Sequence, residues 1–488
     1  MTVEVKVEET QMGDEVVVVP TEEEEPKTVE KCPSFKEESN FLSDLKEFER
    51  KALNDLKSRL EEAILGNTLF NKPDQKKTEK TTTTTESEKK ETEKPVQQEE
   101  EEAKPVEEEA KAEEEEEKEK TTEESNEAEK KEHEEEEKGV ELWGVPLLPS
   151  KFAEGIDVVL LKFLRAREFK VNESFEMLKK TLQWRKENRI DSILEEDQDD
   201  LGSDLSYAAY MNGIDREGHP VCYNVYGVFD KEELYQKTFG TEEKRGQFLR
   251  WRLRLLEKGI QKLNLKPGGV SSLLQINDLK NSPGISKKEL RISMKQAVNL
   301  LQDNYPEFVA RNIFINVPFW FYALNALLSP FLTQRTKSKF VVARPAKVTE
   351  TLLKYIPAEE LPVQYGGFKR ENDFEFCNEN GVVSEITMKA GSTKTIEISA
   401  DEVGGAAITW EVSVLGWEVN YKEEFVPNDE GSYTVIIQKG KKIVSSQDEP
   451  IRNTFRNNEP GKVVITIQNG SNKKKRVFYR YKVKNSSF

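Results

Sequence analysis

The apolar positions between residues 198 and 371 follow two alternating patterns. Short apolar runs typical of buried strands alternate with longer segments in which apolar residues recur every three or four positions. The predicted strands are residues 221–228, 271–278, 312–317 and 339–343, and the predicted helices are residues 244–264 and 287–304. Strands that alternate with long helices predict a mainly parallel sheet covered by helices, which is an α/β fold.

The regions on both sides of this α/β segment have other periods. Helical spacing of apolar residues from Val158 to Trp184 predicts a small helical bundle over residues 139–197. From residue 372 to residue 488, apolar and polar positions alternate and glycines separate the runs. This pattern predicts an antiparallel β-sandwich of seven or eight strands.

Residues 1–138 are low in complexity and rich in Glu, Lys and Thr. Such a segment buries too little apolar area to offset the entropy lost on ordering, so it is predicted to be a disordered acidic tail. One stretch differs, because apolar residues such as Phe41, Leu56 and Ile64 recur at helical spacing within residues 40–65. Two interpretations of this short amphipathic helix stay open: a satellite element without important packing, or a docking element for a partner or a membrane.

The apolar run at residues 313–332 is as long as a membrane span. Two prolines, Pro318 and Pro330, and two asparagines, Asn316 and Asn325, lie within it. These residues would leave polar groups unpaired in lipid, which is costly. The run is therefore predicted to be a buried strand followed by a very apolar helix.

The net charge of −18 is distributed unevenly along the chain. Residues 1–140 hold 46 acidic and 23 basic residues, whereas residues 141–488 hold 46 acidic and 51 basic residues. An acidic tail thus precedes a slightly basic body, and that body can approach an anionic surface.

Composition and motifs argue against several functional classes. Three widely spaced cysteines and the lack of a leader pattern favour a reducing, cytoplasmic setting. The chain has two histidines and no metal-ligand spacing, so neither a metal nor another cofactor is expected. It also lacks the nucleophile-elbow, phosphate-loop and dinucleotide-binding motifs, so we expect that the protein is not an enzyme. No nucleic-acid partner is expected either.

Five sequence blocks occur in an order and spacing that resemble a known family. They are LLKFLRAREFK, DREGHPV, QINDLK, DNYPEF and LPVQYGGF. Together they resemble the CRAL-TRIO, or Sec14-like, lipid-transfer family. The C-terminal sandwich resembles a GOLD domain, and the whole arrangement is similar to the plant patellins. The resemblance implies an α/β CRAL-TRIO domain over residues 198–371, preceded by its helical bundle and followed by an all-β GOLD domain.

The resemblance also implies a hydrophobic pocket with a movable helical gate and a bound phospholipid as its ligand. Burying acyl chains supplies the driving force, because each methylene contributes about 0.8 kcal/mol. The gate and pocket residues implied by the family are Phe319, Trp320, Phe321, Leu324, Leu327, Leu328 and Phe331.

The family's inositol-lipid headgroup site is implied at four positions: Arg167, Glu307, Thr336 and Lys339. An arginine fork and a lysine amine suit a phosphate, and a hydroxyl can donate to another phosphate oxygen. A second set of positions, which in the family holds the choline phosphate of phosphatidylcholine, corresponds to Met211, Cys222, Leu273 and Gln275. None of these side chains carries a hydroxyl, so weak phosphatidylcholine selectivity is expected.

A basic cluster in the predicted sandwich comprises Lys473, Lys474, Lys475 and Arg476. The preceding Asn469–Gly470 pair predicts that the cluster lies at a hairpin tip. Such cations are either solvated or contact an anionic leaflet.

These features together lead to three functional hypotheses. The first is a phosphoinositide- or phospholipid-binding protein that works peripherally on anionic cytoplasmic membranes in vesicle traffic. In it one domain holds or senses a lipid, and the GOLD domain and acidic tail recruit proteins. The resemblance implies a role in plant cell-plate formation during cytokinesis. The alternative is an adaptor that carries no lipid and recruits proteins through the GOLD domain and the acidic tail. The third is a carrier of an apolar ligand such as a tocopherol-like molecule.

Overall fold

The computed structural model describes residues 36–70, 139–151, 153–196, 203–284, 287–319, 321, 334–376, 382–400, 405–416, 418–443 and 449–484. Most of the predicted acidic tail therefore lies outside the described residues. The described part contains a helical bundle, a five-stranded sheet with flanking helices, and a two-sheet sandwich.

The helical bundle comprises three helices: α1 (Glu47–Leu65), α2 (Ile156–Ala166) and α3 (Val171–Glu187). A short hairpin, β1 (Glu141–Leu142) and β2 (Val145–Pro146), precedes α2. The apolar face of α1 is fully buried at Leu53, Leu56 and Leu60, and it packs in one core with α2 and α3. Helix α1 is therefore part of the bundle, whereas the sequence analysis assigned it to the tail.

The α/β region follows the predicted alternation of strands and helices. Its strands are β3 (Ala209–Ile214), β4 (Pro220–Val225), β5 (Leu273–Asp278), β6 (Val309–Ile315) and β7 (Phe340–Ala343). Its helices are α4 (Glu232–Phe239), α5 (Glu242–Ile260), α6 (Lys288–Asn304), α7 (Gln334–Ser338) and α8 (Val348–Leu352). The strands form one sheet in sequence order, in which only the β3–β4 pair is antiparallel.

The two faces of this sheet have different environments. Because successive strand residues point to opposite faces, Tyr223 and Ile276 belong to the core beneath the sheet, whereas Cys222 and Gln275 face the helices α5 and α6.

No helix among the described residues combines the length and the apolar character required to cross a bilayer.

The C-terminal region is a sandwich of two four-stranded antiparallel sheets, in agreement with the predicted all-β fold. One sheet has the order β13-β10-β15-β8 and contains β8 (Ser384–Met388), β10 (Ala407–Leu415), β13 (Ile451–Arg456) and β15 (Lys475–Lys484). The other has the order β12-β11-β14-β9 and contains β9 (Thr393–Ala400), β11 (Val419–Pro427), β12 (Val435–Ile443) and β14 (Gly461–Gln468).

The predicted hairpin tip after Asn469 is wrong. The strands on either side of it, β14 and β15, lie in different sheets, so the loop crosses from one layer of the sandwich to the other. The buried Asn469 amide holds this crossover: its Nδ2 donates to Lys389 O at 2.9 Å and to Lys473 O at 2.8 Å. Its Oδ1 also accepts from Ser471 N at 3.1 Å, so the asparagine forms a local Asx-turn within the crossover loop.

The sandwich packs directly on the α/β region. Phe478 of β15 is 5% exposed and belongs to the core beneath the five-stranded sheet. Arg480 donates to Phe368 O at 2.9 Å, and Ser413 Oγ donates to Gly366 O at 3.0 Å. These contacts fix the sandwich against the segment that ends the α/β region.

Candidate functional site

Glu307 and Lys339 meet at the amino ends of two neighbouring strands. Glu307 lies just before β6, with a backbone φ of +55°, and Lys339 lies just before β7. Because β6 and β7 are parallel neighbours, these residues lie side by side, and Lys339 Nζ donates to Glu307 Oε2 at 2.7 Å. Arg335 of α7 donates from Nε to Glu307 Oε1 at 2.8 Å. The structure thus brings together two of the four predicted headgroup residues.

Helix α2 adds two further cations to this site. Lys162 and Arg165 are three residues apart and share one helix face. The buried Lys162 amine donates to Ser271 O at 2.7 Å and to Glu307 O at 2.8 Å. We call Lys162, Arg165, Arg335 and Lys339 the cation cluster.

Arg167 does not reach the cation cluster. It caps the C-terminus of α2, and within the described part of the chain its side chain donates to Ala166 O at 3.4 Å. Two residues along a helix correspond to a rotation of about 200°, so Arg165 and Arg167 face different directions. Arg165 occupies the position that the sequence analysis gave to Arg167. Thr336 lies on α7 between Arg335 and Lys339, but its side chain is outside the described part of the chain.

The cation cluster keeps Glu307 ionised. Burial of the carboxyl would raise its pKa, but the hydrogen bond from Arg335 and the charges of Lys339 and Arg335 lower that pKa to about 2. A permanent carboxylate therefore neutralises part of the cluster and orients Lys339 and Arg335.

An acidic segment crosses the cation cluster, and we call residues 36–46 the strap. Both oxygens of Glu38 accept hydrogen bonds from Arg335, at 2.6 Å from Nη1 and 2.7 Å from Nη2. Arg165 Nε lies 3.1 Å from Glu38 Oε2, and Arg165 Nη2 donates to Ser39 O at 2.6 Å. Sequence reasoning missed this contact, because Glu38 and Arg335 are 297 residues apart and Glu38 resembles the many other glutamates of the tail.

The buried His219 joins the strap to the sheet. Its Nδ1 lies 2.9 Å from Asp215 Oδ2 and its Nε2 lies 2.9 Å from Glu37 Oε2. Burial favours the neutral ring, but the hydrogen bonds and charges of these two carboxylates raise the pKa of His219 to about 9. A histidine with a raised pKa stabilises the folded state fully below its ordinary pKa of 6.5, and this stabilisation is lost as the pH rises through about 9.

The stabilisation by His219 should therefore disappear between about pH 6.5 and pH 9. We expect His219→Gln to lower the free energy of unfolding by about 2–3 kcal/mol near pH 6 and by little above pH 9. Urea unfolding of both proteins across this range measures the difference.

The pH dependence of the wild-type free energy of unfolding does not isolate His219, because Lys162 changes that free energy in the opposite direction. Burial lowers the pKa of Lys162 to about 7, so this residue contributes a stability that increases as the pH rises above 7. Subtracting the variant's free energy of unfolding from that of the wild type cancels the Lys162 contribution, because both proteins share it. A difference that stays constant with pH would show that His219 is not charged.

The four positions of the implied choline site line one small cavity between the sheet and α5 and α6. Met211 is paired with Cys222 across β3 and β4, and Cys222 lies beside Gln275 of β5. The cavity has a volume of about 20 Å³. Its described lining is Met211, Cys222, Leu249, Arg252, Leu253, Leu255, Leu256, Leu273, Gln275, Ala297, Leu300 and Leu301. This lining contains no hydroxyl side chain.

Most of the predicted gate lies beyond the part of the chain that the structure describes. These residues are Trp320, Leu324, Leu327, Leu328 and Phe331. Phe319 is 90% exposed, and the Phe321 ring packs on Phe314 of β6 at 5.1 Å between centroids. The first turn of the predicted gate thus contacts the sheet face that lines the cavity.

A cleft of about 1520 Å³ separates the α/β region from the sandwich next to Phe319. All four cations of the predicted basic patch line this cleft together with Phe319. Lys475 is nevertheless largely buried and donates to Gly416 O at 2.8 Å, and Arg476 is paired with Glu385 at 2.5 Å. Two of the four predicted membrane-contact cations therefore have structural partners.

Comparison with known proteins agrees with the three regions of the fold. The CRAL/TRIO N-terminal domain model matches residues 52–180, and the CRAL/TRIO domain model matches residues 205–367. The Patellin-1-like C-terminal GOLD domain model matches residues 389–475. The N-terminal match includes most of α1, in agreement with its packing in the bundle.

Curated proteins show the same similarity over longer ranges. Patellin-4 from Arabidopsis thaliana is 58% identical, with 100% of both chains covered, and patellin-3 from the same plant is 45% identical over 92% of this chain and 78% of its own. The phosphatidylinositol transfer protein SFH5 from Kluyveromyces lactis is 30% identical over 54% of this chain and 87% of its own. The order of the domains and the full-length similarity to patellin-4 show that this chain belongs to the patellin family of CRAL-TRIO and GOLD domain proteins.

Proposed function

We propose that this protein binds a phospholipid, with the acyl chains in the CRAL-TRIO pocket and the headgroup phosphate at the cation cluster. The observation that carries the proposal is the convergence of Arg165, Arg335 and Lys339 at one end of the sheet that lines the cavity. Guanidinium forks and an ammonium group are the side chains best suited to a phosphate. The similarity to a phosphatidylinositol transfer protein supports an inositol phospholipid as the ligand.

The setting of this activity is proposed to be membrane traffic on cytoplasmic surfaces. Lys473 and Lys474 line the cleft beside the exposed Phe319, so an anionic leaflet could contact both cations and the aromatic ring. A role in plant cell-plate formation is the specific form of this proposal that the patellin resemblance implies.

Identification of co-purified lipid tests the proposed function directly. The full chain is purified under native conditions, extracted with organic solvent and analysed by mass spectrometry. We expect inositol phospholipids in excess over phosphatidylcholine, because the choline positions lack hydroxyl donors. A purely apolar ligand would favour the tocopherol-like hypothesis, and a lipid-free protein would favour the adaptor.

The double substitution of Lys339→Ala and Thr336→Ala should reduce phosphatidylinositol loading. A charge-assisted hydrogen bond to phosphate is worth about 1.5–3 kcal/mol, so the loss should be roughly tenfold or more. The fold should survive, because Glu307 keeps its two hydrogen bonds from Arg335. Lipid transfer between vesicles and the melting temperature measure the two effects.

Lys337→Ala is the matched control for this variant, because Lys337 lies on the same short helix and has no hydrogen bond or ion pair to a described residue. A second control, Lys473→Ala with Lys474→Ala, should weaken binding to any anionic membrane without changing which lipid is loaded. Normal loading by the double variant would place the headgroup elsewhere.

The adaptor function has one observation in its favour. Strand β12 is an edge strand of the sandwich, and it exposes Val435 and Ile436, with Tyr433 91% exposed just before it. An exposed apolar edge can add a strand from a partner protein.

A further inference from the structure

The strap presents Glu38 to the cation cluster in the same way that a phosphate would bind there. Its two carboxylate oxygens lie 2.6 and 2.7 Å from the two terminal nitrogens of Arg335, and one of them lies 3.1 Å from Arg165 Nε. A guanidinium fork forms this bidentate arrangement with carboxylates and phosphates alike. Glu38 and a lipid phosphate therefore have the same hydrogen-bond donors available to them.

The charges of the site require an anion at this position. Arg165 and Lys339 are largely buried, with side chains 8% and 11% exposed, and Glu307 is the carboxylate that the sheet itself provides. Among the described residues, Glu38 is the carboxylate that contacts both Arg165 and Arg335 directly. Because uncompensated buried charge is costly, either Glu38 or an external anion should occupy the cluster in the folded protein.

The Glu38 side chain is held less firmly than the rest of the strap. It is 46% exposed, whereas Asn40 and Leu45 of the same strap are buried and Leu45 belongs to the bundle core. Water screens an exposed ion pair, so the Glu38 carboxylate can leave its partners at low free-energy cost while the buried residues of the strap stay in place.

We infer that Glu38 is an internal ligand of the cation cluster, that it occupies the site of the phospholipid phosphate, and that lipid loading requires the Glu38 carboxylate to leave the cluster. The inference rests on the proposed function and adds its regulation. Glu37, which pairs with His219 and accepts from Ser272 Oγ at 2.5 Å, anchors the same strap beside the cluster. When Glu38 occupies the site in most molecules, the apparent affinity for lipid is the intrinsic affinity multiplied by the fraction of molecules whose site is open.

Lipid loading of the full chain with and without Glu38 tests the inference. The Glu38→Gln substitution keeps the shape of the side chain and removes its charge. We expect the apparent affinity for phosphatidylinositol, presented in phosphatidylcholine vesicles, to rise about fivefold, because the site is open in a larger fraction of molecules.

Glu47→Gln is the matched control, because Glu47 is exposed at the start of α1 and has no hydrogen bond or ion pair to a described residue. It changes the net charge equally, so an equal gain would show that general electrostatics explains the effect and would overturn the inference. If the wild type loads phosphatidylinositol and Glu38→Gln loads it no better, the inference fails and the proposed function stands. If the wild type loads no phospholipid at all, the proposed function fails first.

Water-soluble glycerophosphoinositol carries the same phosphate without acyl chains and separates lipid from free headgroup. For a lipid site, the gain of Glu38→Gln should appear with vesicles. A gain with the soluble compound and none with vesicles would show that Glu38 guards a site for soluble phosphate esters, contrary to the inference.

Discussion

Replacing Glu411 with alanine should lower the free energy of unfolding by about 3–5 kcal/mol, because it leaves a buried arginine without its main partner. Glu411 of β10 is completely buried and accepts hydrogen bonds from Arg480 Nε at 2.6 Å and from Arg370. Arg480 is 4% exposed and lies on the neighbouring strand β15. Asp373, at 3.3 Å from Arg480 Nη2, can replace only part of the lost interaction. Urea unfolding of the full chain measures the loss.

An exposed ion pair in the same sandwich supplies the control. Glu397 of β9 lies 2.8 Å from Lys462 of β14, and the two side chains are 52% and 39% exposed. Because water and salt screen such a pair, Glu397→Ala should cost less than about 1 kcal/mol. Similar losses for Glu411→Ala and Glu397→Ala would contradict the role assigned to burial.

The same carboxylate connects two domains. Arg370 follows the last segment of the CRAL-TRIO region, and it meets Glu411 of the GOLD sandwich. Arg480, the other partner of Glu411, also donates to Phe368 O in the CRAL-TRIO region. Loss of Glu411 therefore weakens the contact between the domains as well as the sandwich itself.

The periodicity of apolar residues predicted most of the fold, because strands and amphipathic helices each have a local signature. The α/β alternation and the two-residue period of the sandwich were both visible in this way. The crossing of the Asn469 loop between two sheets was not predictable, because a local turn signal does not say which strands become neighbours. Strand pairing is decided by packing between residues that are far apart in the chain.

The proposed headgroup site was predictable only in part. Family resemblance indicated Glu307 and Lys339, which the structure brings within 2.7 Å of each other. The helical spacing of Lys162 and Arg165 could have identified Arg165 in place of Arg167, because residues three apart share a face. Glu38 had no such signal, since its contacts with Arg335 and Arg165 join residues that are far apart in the chain.

Leu56→Ala should destabilise the protein by about 2–5 kcal/mol, because it removes a buried side chain and leaves a cavity in the bundle core. Leu56 is 0% exposed on α1 and packs in the core shared with α2 and α3. The sequence analysis placed this helix in a tail with no core of its own, where the same change would have little effect. Thermal unfolding of the full chain distinguishes the two assignments.

Leu65→Ala is the matched control, because Leu65 ends the same helix and is 63% exposed. The same chemical change should cost well under about 1 kcal/mol there, since little apolar area is lost from the interior. Limited proteolysis gives an independent result: a bundle that contains α1 should protect a fragment beginning before residue 47, either as one chain or as a fragment that remains associated after cleavage. If the protected core begins near residue 140 with α1 lost, and if Leu56→Ala and Leu65→Ala are equally mild, then α1 does not belong to the bundle.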